Sequence, residues 1–272
     1  MLRGVSLEVP ASGFVGVLGP NGSGKTTLLR VLAGTLRPSS GSVTLDGVDV
    51  ARVPRVELAR RMAVVPQETR LAFDFTAVEV VLMGRYPHLG TFEVEGPADL
   101  AIAQEALAAT GTRALADRQF TTLSGGEKQR VIIAAALAQI SLGSDPNVRK
   151  WDSVGSDPNQ KRPDPTYLLL DEPTAALDLA YQLEIASLLR DLQHRKPIAI
   201  AVSTHDLNFA ATLCQSLVLI KDGSVLAAGP TADVLTPDHI ERLYGVRAEV
   251  TRHSGAGHLI VVPIERVNGA HP

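Results

Sequence analysis

Residues Gly19 to Thr27 read GPNGSGKTT, and this stretch limits the possible folds of the chain more than any other. It matches a pattern of Gly, four free positions and Gly-Lys-Ser/Thr, in which backbone N–H groups of a tight loop surround phosphate oxygens. The apolar run Phe14 to Leu18 precedes the loop, and a helical pattern from Lys25 to Ala33 follows it. The sequence therefore predicts a strand, a phosphate-binding loop and a helix, the beginning of an α/β fold.

The residue types of this loop suit a nucleoside triphosphate. Glycines let the backbone approach phosphate oxygens, and the helix N-terminus adds a positive partial charge. Lys25 can reach the β- and γ-phosphates, and the Thr26 hydroxyl is placed to ligate Mg²⁺. The predicted nucleotide contacts in the loop are Gly19, Pro20, Asn21, Gly22, Ser23, Gly24, Lys25, Thr26 and Thr27. The loop alone identifies neither the nucleotide nor the purpose of its binding.

Composition excludes several classes of protein. The chain of 272 residues is 45% hydrophobic, which is enough for a sizeable core, and its net charge of −3 does not suggest a nucleic-acid-binding surface. The single Cys214 forms no internal disulfide and suits a reducing compartment. The N-terminus lacks the apolar core of a signal peptide, and the longest apolar run, Val131 to Ile140, is too short to span a bilayer. We therefore expect a cytosolic chain whose membrane role, if any, comes through a partner.

The apolar runs predict a mostly parallel sheet core, because they alternate with helical segments. Alternation over Val5 to Val9 and a hairpin pattern around Asp46-Gly47 predict a small antiparallel β subdomain. Helical periodicity over about 72–140 predicts an inserted helical subdomain. The predicted sheet strands after the first are Met62 to Val65, Tyr167 to Leu170, Ile198 to Ser203 and Leu217 to Lys221.

The last part of the chain and one internal loop stand apart from this pattern. We predict one nucleotide-binding domain over 1–245 and a C-terminal β extension over 246–272. Residues 141–152 and 153–164 are an imperfect tandem copy within a polar loop, 141–166, that we expect to be exposed and mobile. The copy could be a docking loop or an ion site, but its carboxylate spacing fits no calcium loop, so we favour a tolerated duplication.

Two acids, Asp171 and Glu172, follow the apolar run Tyr167 to Leu170. At the C-terminal end of a strand beside a phosphate loop, the first can hold Mg²⁺ through water and the second can orient an attacking water. A second anion site is predicted at Ser124-Gly125-Gly126, which begins a buried helix. Because one nucleotide has one γ-phosphate, two such sites suggest that two chains face each other and share two nucleotides.

Five motifs in this order, GPNGSGKT, VVPQ, LSGGEKQR, LLLDEPTAALD and STHD, resemble the nucleotide-binding subunit of ATP-binding cassette (ABC) transporters. The resemblance covers nearly the whole chain except the tandem copy. It implies a P-loop NTPase with a RecA-like core, an ATPase that uses ATP and Mg²⁺, and a head-to-tail homodimer. The resemblance implies that Gln67 is a switch glutamine that contacts Mg²⁺ and water, and that Ser124, Gly125 and Gly126 contact the γ-phosphate held by the opposite protomer. It implies that Asp171 is a Mg²⁺ ligand and that Glu172 is the general base. It also implies that Asp178 links the two sites and that His205 contacts the γ-phosphate.

A narrower likeness is carried by FDFTAVEVVLMGRYPHLG at Phe73 to Gly90, LADR at Leu115 to Arg118 and LYGV at Leu243 to Val246. These are similar to the subgroup that energises uptake of ferric siderophores, haem and cobalamin. The likeness implies a membrane permease that docks near Gln67 to Phe92, a periplasmic or surface binding protein that acts indirectly, no nucleic-acid partner, and a position at the cytoplasmic face of the cell membrane.

Several alternatives stay open from the sequence. The chain could serve another cargo, or it could be a nucleotide-gated regulatory or structural protein without turnover. A soluble cassette protein acting on DNA or ribosomes usually has two cassettes or a long coiled coil, and a GTPase would need an Asn-Lys-x-Asp motif; the sequence has none of these features. The family normally has a further strand and an adenine-stacking aromatic residue upstream of the stretch that resembles Leu2 to Ser6, so we expect a truncated start.

Overall fold

The computed structural model describes residues 2–69, 71–140, 166–175, 177–195, 197–255 and 257–267. Its central sheet has six strands in the order β4-β5-β6-β1-β7-β8. The first five run parallel and β8 is antiparallel to β7, which confirms the predicted, mostly parallel core. The strands are β1 (Phe14–Leu18), β4 (Met62–Val65), β5 (Thr166–Asp171), β6 (Ile198–Thr204), β7 (Ser216–Lys221) and β8 (Ser224–Pro230).

Helices cover both faces of this sheet, so its central strands β1, β5 and β6 are almost entirely buried. Leu168 and Leu170 of β5 point to the larger core cluster, whereas Leu169 packs on the opposite face with Leu29. The described helices are α1 (Lys25–Leu32), α2 (Arg55–Arg61), α3 (Ala77–Leu82), α4 (Pro97–Ala109), α5 (Gly125–Gln139), α6 (Leu179–Arg195), α7 (Leu207–Leu213), α8 (Thr231–Val234) and α9 (Pro237–Tyr244). No helix in the described part of the chain combines the length and the apolar character needed to cross a bilayer.

The strand register aligns the ends of β1, β5 and β6. Leu18 pairs with Thr204, and Asp171 pairs with Ser203. The loop that begins at Gly19 leaves the sheet from this same edge. Parallel strands thus bring the phosphate loop and the predicted acids together, although more than 150 residues separate them in sequence.

The helical subdomain consists of α3, α4 and α5, with a 3₁₀ segment at Met83–His88. A capping box begins α3: Thr76 Oγ1 accepts from the Glu79 N–H, and the Glu79 side chain accepts from the Thr76 N–H. Eight residues of α5 are buried, and seven of them lie in its apolar run VIIAAALA, Val131 to Ala138, as the apolar character of that run on every face predicts. The tandem copy that follows α5 lies outside the described residues.

The predicted hairpin is present, but the predicted N-terminal strand is wrong. Strands β2 (Thr44–Leu45) and β3 (Val48–Asp49) flank Asp46 and Gly47, whose φ angles of 50° and 83° suit a type I′ turn. In contrast, Val5 to Val9 has no strand hydrogen bonding. Alternate apolar side chains of this stretch pack against the cluster that contains Val15, so its alternation reflects packing without a strand ladder.

The C-terminal part contains two elements that the sequence reading missed, β8 and α8. The Asp222-Gly223 turn, with φ angles of 50° and 81°, leads into β8 and is the hairpin signal that could have revealed it. The tail forms an antiparallel pair, β9 (Val246–Arg252) and β10 (Leu259–Arg266). Val261 of β10 joins the main core cluster, and its backbone exchanges two hydrogen bonds with the Asn208 side chain, so the hairpin is fastened to α7.

Candidate functional site

The phosphate loop has a backbone that few residues besides glycine could adopt. Gly22 and Gly24 have φ angles of 79° and 110°, and Gly24 immediately precedes α1. A Cβ at Gly19 would clash with the Ile220 carbonyl oxygen of β7. Lys25 Nζ donates to the Gly19 carbonyl at 2.9 Å and is buried. A second bond, to the Pro20 carbonyl at 3.2 Å, holds the Lys25 ammonium group against the first two residues of the loop.

A cavity of about 650 Å³ opens over this loop at the carboxyl edge of the sheet. Four of its lining residues were not predicted: Thr174, Ala175, Gln182 and Asp206. Thr174 and Ala175 lie within the motif LLLDEPTAALD and Asp206 ends the motif STHD, so those motifs were the available signal; Gln182 follows the first motif by four residues. The predicted site residues that line the cavity are Asn21, Gly22, Gly24, Lys25, Thr26, Thr27, Gln67, Glu172 and His205.

Glu172 is the centre of the polar contacts in this cavity. Its Oε1 lies 3.2 Å from Lys25 Nζ, and its Oε2 lies 3.2 Å from His205 Nδ1. Gln67 Nε2 also donates to Oε2, at 3.5 Å, which is the longest of the three contacts. Three residues predicted from three separate motifs therefore meet at one carboxylate.

The backbone at Glu172 is strained, and one serine holds it. Glu172 has a φ of 46°, a left-handed conformation that is uncommon outside glycine. Its N–H donates to Ser203 O at 3.0 Å and to Ser203 Oγ at 3.1 Å. The Ser203 hydroxyl in turn donates to Asp171 Oδ1 at 2.5 Å. Ser203 thus orients both acids, a role that sequence reasoning missed although the residue begins the STHD motif.

The donor set fits phosphate and Mg²⁺. Ser23 Oγ in the loop is buried and has no hydrogen-bond partner among the described residues, as expected of a donor that serves an external acceptor. Thr26 lines the cavity, and the Asp171 carboxylate is buried at the end of β5, next in sequence to Glu172. Hydroxyl and carboxylate oxygens are ligands that Mg²⁺ accepts together with phosphate oxygens. Thr26 and Asp171 are therefore the side chains that would hold the ion directly or through water.

Tyr244, the last residue of α9, is a further buried group near the loop. Burial raises the pKa of Tyr244, the negative charge of Glu172 adds to that rise, and the Gly19 N–H opposes it. Among the residues that the structure describes, the hydroxyl has no hydrogen-bond partner, and the Gly19 N–H lies near it but outside hydrogen-bond geometry. The C-terminal LYGV motif thus reaches the phosphate loop, which its sequence position does not suggest.

The second predicted anion site lies outside the cavity. Ser124 caps α5: its Oγ accepts from the Glu127 N–H at 3.3 Å, and Glu127 Oε2 accepts from the Ser124 N–H at 2.8 Å. The Ser124 N–H holds the pKa of Glu127 below its usual range, with smaller contributions from the Ser124 hydroxyl and nearby arginines. Gly125 and Ser124 are exposed. The turn is therefore available to a ligand or partner outside the chain's own cavity.

Residues that follow Asp171 and Glu172 in sequence pack against the Ser124 turn. A Cβ at Gly126 would clash with the Tyr181 ring, so α6 packs directly on the start of α5. Asp178 accepts from the Tyr181 N–H at 3.1 Å and thereby caps α6. Asp178 does not line the cavity either. The structure thus brings the loop, Gln67, Glu172 and His205 together, and it leaves the Ser124 turn, Asp178 and Asp171 outside the lining of the cavity. Asp171 is instead bonded to Ser203 at the end of β5.

Comparison with known proteins identifies the family. The family model described as "ABC transporter" matches residues 2–141, more than half of the chain. The hemin import ATP-binding protein HmuV of Gloeobacter violaceus is 44% identical over 100% of this chain and 92% of its own length. The chain belongs to the ABC transporter family.

Other members of the ABC transporter family agree in fold and length. The ferric enterobactin transport ATP-binding protein FepC of Escherichia coli is 35% identical, over 96% of this chain and 88% of its own. A solved metal-chelate type ABC transporter in an inward-facing conformation superimposes with a TM-score of 0.75 at 29% identity, over 95% of this chain and 89% of that one. A dimeric bacterial ABC transporter cassette gives a TM-score of 0.67 at 28% identity, over 85% and 90%. The predicted family and fold class are confirmed, whereas the individual residue roles stay predictions.

Proposed function

We propose that this chain is the ATP-hydrolysing subunit of an ABC importer that takes up an iron chelate such as a ferric siderophore, haem or cobalamin. The observation that carries the activity is the convergence of Lys25, Gln67 and His205 on the Glu172 carboxylate above a phosphate loop. The relatives named for hemin import and ferric enterobactin transport support the class of cargo.

In this proposal the residues of the cavity have separate roles. Lys25 binds the β- and γ-phosphates of ATP and releases Glu172, which then accepts a proton from the attacking water. His205 donates to the γ-phosphate, and Gln67 orients the water. Mg²⁺, when bound, neutralises charge on the phosphate oxygens. Most of the acceleration then comes from positioning and from charge stabilisation at the γ-phosphate.

A second copy of the chain completes the site. The Ser124-Gly125-Gly126 turn, which is exposed at Ser124 and Gly125, offers N–H groups at a helix N-terminus, but it lies outside its own chain's cavity. In a head-to-tail dimer the turn would contact the γ-phosphate held by the partner's loop, and Asp178 would link the two sites. The dimeric cassette with the same fold supports this arrangement.

A permease is the proposed membrane partner. Phe73, Tyr86, Phe92 and Val94 are each at least 60% exposed, which is unusual for large apolar residues so close together in sequence. Aromatic anchors are typical of small, specific protein interfaces. We propose that residues Gln67 to Phe92 face the permease, that a periplasmic or surface binding protein acts through it, and that the subunit lies at the cytoplasmic face of the membrane. We further propose that 1–245 form the ATPase domain and 246–272 an extension.

Purified protein provides the first test. We expect Mg²⁺-dependent release of phosphate from ATP by the isolated chain, and faster release when the chain is assembled with its permease in lipid nanodiscs. The alternative, a regulatory protein that binds ATP without turnover, predicts ATP binding with no phosphate release under either condition. Uptake of radiolabelled iron chelate, haem or cobalamin into vesicles containing the whole importer then distinguishes the cargoes.

A further inference from the structure

Arg85 is a buried cation far from the phosphate loop in sequence. It lies in the 3₁₀ segment Met83–His88 and has only 2% of its surface exposed. Its Nε donates to Asp99 Oδ1 at 2.9 Å, and its Nη1 donates to the Ala138 carbonyl oxygen at 2.8 Å. Burying a guanidinium is unfavourable unless its charge and donors are matched, so this position is held by specific contacts and not by apolar packing alone.

The contacts of this segment fall on the C-terminal end of α5. The last carbonyl groups of a helix have no partner within it and carry a negative partial charge. Arg85 donates to Ala138 O, and His88 Nε2 lies 2.7 Å from Gln139 O. A Cβ at Gly84 would clash with Ala135 O, so the backbone of the segment also lies against the helix. The segment Met83–His88 is therefore the C-terminal cap of α5.

The same helix end is also fixed to the central sheet. The Gln139 side chain donates through Nε2 to Ala59 O at 2.8 Å and to Met62 O at 3.1 Å, at the junction of α2 and β4. The C-terminal end of α5 is therefore held by contacts on two sides, from the segment Met83–His88 and from the junction of α2 and β4. Arg85 provides the charged group among these contacts.

The opposite end of α5 is the turn that we propose to contact the partner's γ-phosphate. Fifteen residues at 1.5 Å each separate the two ends by about 22 Å. A tilt of about 5° around the clamped end would move the Ser124 turn by about 2 Å at that length. Displacements of about 1 Å are enough to cost a catalytic contact much of its effect. The direction of α5 must therefore be set closely at its C-terminal end.

We propose that Arg85 is a positioning residue for the Ser124-Gly125-Gly126 turn: by capping α5 it fixes the direction in which the helix presents the turn to the second copy. This inference rests on the proposed function, because it assumes the head-to-tail dimer. Tyr86, the next residue, has 60% of its surface exposed within the proposed permease surface. One short segment thus joins that surface to the helix that carries the turn.

The test measures dimerisation and nucleotide binding separately in the full chain. In a Glu172→Gln background, ATP-dependent dimerisation is measured by analytical ultracentrifugation, and binding of a fluorescent ADP analogue reports on the monomer's own loop. Arg85→Lys retains the charge beside Asp99 but cannot reproduce the forked geometry that also reaches Ala138 O. We expect dimerisation to weaken about 10- to 100-fold, with ADP binding within about twofold of the parent.

Two further variants sharpen the outcome. Arg85→Met should weaken dimerisation at least as much as the lysine variant, whereas Arg247→Met, which removes the exposed pair with Glu265 on the C-terminal hairpin, should change neither measurement. Unchanged dimerisation in both Arg85 variants would overturn the inference, and so would loss of ADP binding together with dimerisation, because that shows only general unfolding. A Glu172→Gln parent that binds ATP but never dimerises would instead contradict the proposed function.

Discussion

Lys25 Nζ and Glu172 Oε1 lie 3.2 Å apart, so the cation proposed to hold phosphate and the acid proposed to activate water form an ion pair with each other. Both side chains are largely buried, with 5% and 11% of their surface exposed. A triphosphate that binds Lys25 competes with Glu172 for the same ammonium group. We therefore expect binding of the substrate to free the carboxylate that the proposed reaction requires.

Replacing Glu172 with Gln should remove the proton acceptor while leaving the side chain's size unchanged. We expect turnover to fall about 10²- to 10⁴-fold, the usual size of a general-base effect, and an ATP-bound dimer to accumulate. Phosphate release and size-exclusion chromatography with ATP measure the two effects. Glu265→Gln on the exposed C-terminal hairpin is the matched control and should behave as the parent. Wild-type turnover in the Glu172 variant would remove this residue from the general-base role.

Two glycines allow the effect of backbone strain on stability to be measured separately from the function of the phosphate loop. Gly22 (φ 79°) and Gly41 (φ 84°) share a left-handed conformation, and no atom lies within 4 Å of a Cβ built on either. Alanine at either position should therefore cost about 1–2 kcal/mol of stability, measured by urea unfolding. Only Gly22→Ala should also weaken ATP binding, by about 10- to 100-fold, because the loop's N–H groups would turn away from phosphate. Equal ATP affinities in the two variants would show that the Gly22 conformation is not needed for binding.

The raised pKa of Tyr167 predicts that the protein loses stability in alkaline solution. Burial, followed by the charge of Asp46 and a 3.1 Å hydrogen bond to it, raises the pKa of Tyr167 to about 12. An unfolded tyrosine ionises near pH 10, so the folded state retains the proton more tightly between these values. The contribution is complete below about pH 10 and is lost as the pH rises through 12. The free energy of unfolding of Tyr167→Phe should fall less steeply than that of the wild type from pH 10 to 11.5; parallel curves would refute this assignment.

Phe92 should contribute to partner binding and not to folding. Its side chain is fully exposed, and its φ of 67° is unfavourable for phenylalanine but accessible to asparagine. Phe92→Asn should leave stability unchanged or raise it by about 1 kcal/mol while weakening permease binding about tenfold. Thermal unfolding and stimulation of ATPase activity by permease in nanodiscs measure these effects. Val262→Asn, which alters an exposed apolar residue of the C-terminal hairpin, is the control and should leave stimulation unchanged.

Local sequence signals predicted most of the elements. The strand Met62–Val65 is present with the predicted bounds, because a continuous apolar run begins sharply at Met62, directly after the arginines that end the helix Arg55–Arg61. The prediction of a strand over Val5 to Val9 was wrong because alternating apolar residues indicate which side chains are buried, and not whether the backbone pairs with another strand. Strand β8 was missed because alanine and glycine make weak strand signals, although the Asp222-Gly223 turn preceded it.

The sequence by itself determined the chemistry of the phosphate loop, the acids after β5 and the family, since each depends on residue types at fixed local spacing. Only the tertiary structure decided that Ser203 orients both acids, that Tyr244 of the C-terminal helix approaches Gly19, and that Arg85 caps a helix more than 50 residues further along the chain. These contacts join segments distant in sequence, and they exist because parallel strands and packed helices bring particular side chains together. The pattern of residues within one segment does not show which distant segment it will contact.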